Sequence, residues 1–188
     1  MEIIRYCALI GLLFFSCNGG QSGATDKSNI AAAETKGPPK ASEKVLLTNI
    51  TTHFFSDASK KDTFKLILTG DSLKNAAAHF AIISYKGKMI YYDEFGGEDL
   101  SGIENIENPI KYKASIFFND SNFVAANKIP AVATCGDNGI PDSVNWFDIH
   151  SDKNVIGFHY FFEGEVDDNY IAWSKKQQRV VVYWHNND

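Results

Sequence analysis

The sequence predicts an α+β fold, a single domain made mainly of antiparallel β-sheet from hairpins, with one or two short helices. Three observations carry this expectation. Short runs of β-branched and aromatic residues recur between turn residues. A two-residue connection, Lys86-Gly87, separates two of those runs. One segment, opened by Asn108-Pro109, changes to a helical period.

The elements follow in chain order. Val45–Ile50 is a short apolar run, continued by Thr51-Thr52-His53-Phe54-Phe55, and Thr63–Thr69 reads as a strand closed by Gly70-Asp71. Ala77–Tyr85 and Lys88–Phe95 flank the Lys86-Gly87 turn as a hairpin. Both faces of its first strand are apolar, so it belongs at the centre of a sheet. Asn108 as N-cap and Pro109 at the first helical position start a helix in which Ile110, Ala114, Phe117 and Phe118 share one face. The composition of Lys111–Phe118 also suits a strand; the cap favours the helix. Pro141 starts a second short helix bearing Val144, Trp146, Phe147 and Ile149. Asn154–Glu163 is a strand, and Tyr170–Ser174 and Arg179–His185 form a hairpin around Lys175–Gln178. No internal repeat is visible, which excludes a solenoid or propeller. The expected arrangement is one sheet with its helices on one face.

Residues before this domain have a different character. Tyr6–Phe15 is a ten-residue apolar run, too short to span a bilayer and of the length of a signal-peptide core. It stops at Phe14-Phe15-Ser16-Cys17. This resembles the lipobox of bacterial lipoproteins, in which a small residue precedes a cysteine that is acylated and becomes the new N-terminus. Phe14 and Phe15 depart from the more usual choices and are similar to the loosened lipoboxes of Bacteroidota. The alternatives are a short core helix or a secretory signal cut elsewhere, but Asn18–Gly23 cannot continue a packed helix. The resemblance implies a signal peptide over 1–16, lipidation at Cys17, and attachment to a membrane through that lipid. Each buried methylene of the acyl chains contributes about 0.8 kcal/mol, so two or three chains hold permanently. Asn18 is not the Asp associated with inner-membrane retention, and no acidic cluster follows Cys17. The expected place is the outer membrane, with the domain facing the periplasm.

The segment 17–42 is rich in Gly, Ser, Ala, Thr and Lys and contains Pro38-Pro39. It buries too little apolar surface to offset chain entropy and reads as a flexible tether. The globular domain is then 43–188. Cys7 leaves with the leader and Cys17 takes lipid, so Cys135 has no partner and the domain relies on its core.

Composition narrows the function. The net charge is −5, unchanged by loss of a leader that holds one acid, Glu2, and one base, Arg5. A mildly acidic domain lacks the basic footprint of a nucleic-acid or anionic-headgroup binder. No phosphate-cradling or dinucleotide glycine motif follows a strand, and no cofactor is expected. Asp148, His150 and Asp152 alternate and form a weak candidate for a divalent metal on an extended segment; a solvated turn after the short helix is the plainer reading. Glu163, Glu165, Asp167 and Asp168 lack the spacing of a calcium loop. Ser143, Ser151 or Ser174 could be drawn with His79, His159 or His185, but none has a nucleophile elbow.

Aromatic residues crowd the last quarter of the chain. Most must be core, yet Tyr160, Phe162, Tyr183 and Trp184 could stand on the outer face of the sheet and bind a protein or glycan. The C-terminal half, from Asn119–Phe123 through Trp146 to Tyr170–Lys176 and Val180–Trp184, resembles uncharacterised Bacteroidota lipoproteins with no activity to transfer. Asp71-Ser72-Leu73 and Asp142-Ser143-Val144 resemble the O-glycosylation sequon of the same lineage. The expected function is a non-catalytic cell-envelope lipoprotein whose domain binds another macromolecule. The alternative is an envelope hydrolase or metal-dependent enzyme using Asp148, His150 and Asp152, or Cys135.

Overall fold

Alternation in the first half of the domain becomes a four-stranded antiparallel meander in the computed structural model, which describes residues 43–102, 108–129, 139–140, 143–162 and 168–186. Its strands are β1 (Val45–Phe54), β2 (Lys61–Thr69), β3 (Ala77–Ile83) and β4 (Met89–Gly96), paired in that order. In β2 the residues Asp62, Phe64, Leu66 and Leu68 are buried while Thr63, Lys65 and Ile67 face the other way, as the two-residue period of a strand requires. The β3–β4 hairpin turns where expected. Gly87 has φ +79°, a conformation costly for other residues, and its N–H donates to the Ser84 carbonyl at 2.7 Å.

Helix α1 spans Pro109–Ile116 and starts at the expected place with Pro109 in its first turn, but Asn108 is left-handed at φ 60° and its side chain makes no capping bond. The amide of Asn49 in β1 donates to the carbonyls of Ala114 (2.7 Å) and Ser115 (3.2 Å), satisfying acceptors that a helix end leaves open.

The second half forms a separate antiparallel sheet of five strands. These are β5 (Phe123–Ala125), β6 (Gly139–Ile140), β7 (Ile156–Phe161), β8 (Asp168–Ser174) and β9 (Arg179–Asn186), in the order β5-β7-β8-β9-β6. Helix α2 (Ser143–Ser151) precedes β7. The expected α+β class, built from hairpins with two short helices, holds. The single sheet does not: the described residues form two, and the helices do not share one face.

Two apolar clusters show how the layers meet. Phe64, Phe80, Phe117 and Phe118 join Phe158, Tyr160 and Ile171, so the meander, α1 and the following residues pack on one face of the second sheet. The ring centroid of Phe80 lies 5.4 Å from those of Tyr91, Phe117, Phe158 and Tyr160. On the other face, Trp146 and Ile149 of α2 pack with Ala172, Val181 and Tyr183. Alternate residues of β8 therefore serve different layers, Ile171 and Trp173 inward, Ala172 and Ser174 toward α2.

Two backbone features shape the α2 side. A register shift in the β8–β9 pairing lets consecutive residues Tyr183 and Trp184 pack on the same cluster. Gly157 leaves room for Tyr183: a Cβ there would stand 2.7 Å from its hydroxyl. Among the described residues, no helix is long and apolar enough to cross a membrane.

The leader 1–16, Cys17, the tether 17–42, Cys135, Pro141, Glu163, Glu165 and Asp167 lie outside the described residues.

Candidate functional site

Three strand connections come together at one end of the two sheets. The β1–β2 connection supplies Ser56 and Asp57, the β3–β4 turn supplies Ser84 to Lys88, and the β8–β9 turn supplies Lys175 and Gln178. Between them lies a cleft of about 560 Å³, lined also by Trp173 and Arg179. A neighbouring hollow of about 250 Å³ shares Ser56, Asp57, Trp173 and Lys175. Both volumes are near the size of small-ligand sites.

Buried polar groups set the walls. Asp62 has no exposed surface, and its carboxylate accepts from the Ser56 N–H (2.6 Å), the Ser56 hydroxyl (3.0 Å) and the Tyr85 N–H (2.9 Å). One side chain thus ties the first connection to the second. The third is tied to α2. The Ser174 hydroxyl donates to Asp148 and accepts from the Gln177 N–H at 2.8 Å. The Gln177 amide donates to Asn145 at 2.7 Å, and Lys175 Nζ stands 2.8 Å from Asp152. Arg179 donates through Nε and Nη2 to Gln177 Oε1, at 3.0 and 2.8 Å, which fixes its guanidinium beside the turn.

Charge is concentrated here. The domain from 43 to 188 holds 14 Lys and Arg against 20 Asp and Glu, yet half of its cations sit on these connections and the strand ends beside them: Lys60, Lys61, Lys86, Lys88, Lys175, Lys176 and Arg179. Asp57 and Asp62 are the carboxylates on the same segments, and Asp152 faces them from beyond α2. All three are already engaged. Asp57 accepts from the Ser59 N–H and hydroxyl at 2.8 Å each, and the Ser59 backbone holds its carboxyl below the usual range. The hydrogen bond from Lys175 does the same for Asp152. Lys86 and Lys88 have no ion-pair partner among the described residues. Lys60 and Lys86 lie 4.7 and 5.4 Å from the ring centroid of Tyr85. The result is a positive, aromatic-lined mouth on a negative domain, an arrangement that draws anions toward one end.

The residues singled out from the sequence are placed elsewhere. Asp148 and His150 are inside α2, which runs on to Ser151, so the segment is helical and not extended. Residues two apart on a helix point to opposite sides. Asp148 accordingly meets Ser174, exposed His150 stacks on Trp146 at 4.3 Å, and Asp152 meets Lys175. Among the described residues, no group of three or more His, Cys, Asp or Glu is placed to hold a metal.

The proposed aromatic surface is not formed either. Tyr160 and Tyr183 are buried at 2% and 0% exposure, because the second sheet is covered on both faces. Phe162 packs half-buried against Phe95 at 4.6 Å, and Trp184 stacks on Tyr170 at 5.0 Å. Tyr160 instead belongs to a buried chain of hydroxyls: it donates to Asp93 at 2.7 Å, and its oxygen accepts from Tyr91 at 2.7 Å. Burial pushes both phenols far above their ordinary pKa, so they remain donors at neutral pH.

A second hydrogen-bonded group lies on the outer face of the meander. The Thr69 hydroxyl donates to Glu43 at 2.9 Å and stands 3.0 Å from His79 Nε2, whose Nδ1 is 2.8 Å from the Tyr92 hydroxyl. Burial, helped by the Glu94 carboxylate, raises the Tyr92 phenol to about 12. Thr69 is 2% exposed, and its hydroxyl lies between the Glu43 carboxylate and His79 Nε2. Ser72 is exposed in the β2–β3 connection, Ser151 bonds its hydroxyl to the Asp148 carbonyl, and Ser143 opens α2. His159 stacks on Tyr170 at 4.1 Å.

Sequence reasoning passed over Asp62, Tyr85, Trp173 and the seven cations. Their signal is present: each expected turn carries paired lysines, Lys60-Lys61, Lys86-Gly87-Lys88 and Lys175-Lys176. Nothing in the sequence says that the three turns meet.

Comparison of the chain with protein-family models, curated proteins and solved structures finds no match.

Proposed function

We propose that this chain is a lipid-anchored cell-envelope protein, held at the outer membrane through Cys17, whose domain is a non-catalytic binder of another macromolecule. The observation that carries the binding role is the cleft at the three turns. It is concave, its walls are tied by Asp62 and by the Ser174–Asp148 bond, and its charge is opposite to that of the domain. Binding is favoured over turnover because the carboxylates at the mouth are taken up by local hydrogen bonds or by Lys175, and no histidine lines it among the described residues. The sequence reading of the ten-residue apolar run Tyr6–Phe15, ending at Ser16-Cys17, supports the envelope location.

The test has two parts. Changing Cys17→Ser should abolish fatty-acid labelling and release the protein from the membrane fraction; continued labelling of the variant would remove the anchor. Crosslinking the lipidated chain in intact envelopes should recover a stoichiometric partner that is lost when Lys86 and Lys88 are both changed to Glu. Recovery that is indifferent to this change would remove the cleft from the binding role.

A further inference from the structure

Resting on that reading, we infer that the cleft takes an acidic saccharide, the carboxylate- or phosphate-bearing end of a glycan chain. Three features converge on this chemistry. Lys86 and Lys88 reach the cleft from one turn and Arg179 from another, and among the described residues neither lysine pairs with a carboxylate. The Arg179 guanidinium is held by Gln177 through two of its N–H groups, leaving a fixed fork beside the cavity for an oxyanion. Trp173 and Tyr85 line the same space, and flat aromatic faces suit the apolar side of a sugar ring.

Other anionic chains fit less well. An extended acidic peptide binds best along a free sheet edge, but only Met89 and Ile90 at the start of edge strand β4 reach the cleft, too short a run for strand addition. A nucleic acid needs positive surface along many phosphates. Here the positive surface stops at one end of a domain with six more acids than bases, so a long polyanion meets repulsion beyond the mouth. A cavity of about 560 Å³ suits a few sugar units at a chain terminus.

The experiment is titration of the full lipidated chain in neutral detergent, read by tryptophan fluorescence and calorimetry. The probes are trigalacturonate, a phosphorylated maltotriose, unmodified maltotriose, inorganic phosphate, triglutamate and hexathymidylate. Both acidic sugars should bind, and the tighter of the two identifies the oxyanion source. Maltotriose, phosphate and triglutamate should each be weaker by about tenfold or more, since each lacks one half of the recognition. Raising NaCl from about 50 to about 500 mM should weaken the acidic sugars severalfold. The exposed pair Lys86→Glu and Lys88→Glu should cost at least about tenfold, whereas Lys111→Glu, the same charge change on α1, should leave affinity unchanged. The inference is overturned if neither acidic sugar binds, if Lys111→Glu weakens binding as much as the turn variants, or if triglutamate, hexathymidylate or phosphate alone binds as well as the sugars. A partner still crosslinked through the cleft in that event would leave the binding role standing and remove only the saccharide.

Discussion

The two faces of the second sheet are held by different physics. Toward the meander, Phe64, Phe80, Phe117, Phe118 and Phe158 form an aromatic core, and its polar atoms are paired in the Tyr91–Tyr160–Asp93 chain. Toward α2 the apolar cluster is smaller, and polar links carry more of the contact: Ser174 with Asp148, Gln177 with Asn145, Lys175 with Asp152. Among the described residues, two buried polar atoms on that side, the Tyr183 hydroxyl and the Trp184 indole nitrogen, have no hydrogen-bond partner. One face is secured mainly by the burial of apolar rings; the other leans more on polar pairs that salt and pH weaken. The turn that lines the cleft is attached to the second face.

The largest expected effect tests the first face. Changing Phe80→Ala removes a ring that touches both sheets and should lower stability by about 3–5 kcal/mol in denaturant unfolding. A loss below about 1 kcal/mol would mean that the sheets do not share that core.

A matched pair of hydroxyl deletions then separates the faces. Tyr160→Phe leaves half-buried Asp93 and Tyr91 without their partner and should cost about 1–3 kcal/mol. Tyr183→Phe removes a hydroxyl that makes no bond, so stability should stay level or rise by up to about 1 kcal/mol. Equal losses at the two positions would abolish the distinction.

A smaller effect tests the Lys175–Asp152 link of the second face. The lowered pKa of Asp152 means that its link to Lys175 contributes fully above the ordinary carboxylate value of 3.8 and is lost as pH falls through the lowered value. The side chains are partly exposed, so the effect is local. As pH falls below 3.8, Lys175 and Gln177 resonances should shift in NMR spectra as the link is lost. High salt at neutral pH should reproduce part of that shift.

The same contrast marks how far the sequence could be read. The β3–β4 hairpin and the start of α1 were legible because Lys86-Gly87 and Asn108-Pro109 are local signals, decided by backbone conformations a few residues long. Strand β2 was legible because its apolar, β-branched run is closed by Gly70-Asp71. The division into two sheets was not, since it depends on Phe158 meeting Phe64 and Phe80 across the chain. Tyr160 and Tyr183 were misplaced for that reason: an aromatic strand covered on both faces has the composition of one with an exposed face. At Asp148 to Asp152 the helix was expected through Ile149, but its continuation to Ser151, which removes the extended metal alternative, was not. The cleft was hidden most deeply, for its lysines fall in three turns that look like ordinary solvated loops until the strands between them are paired.

Asp62 has one more consequence, in the time domain. The Tyr85 ring is exposed at a hairpin tip, where amide protons ordinarily exchange with solvent almost freely. Its N–H, however, is bonded to a carboxylate with no access to water. That proton can leave only when β2 separates from the turn. Tyr85 should therefore exchange as slowly as the strand interior, and its exchange rate becomes a clock for opening of the cleft.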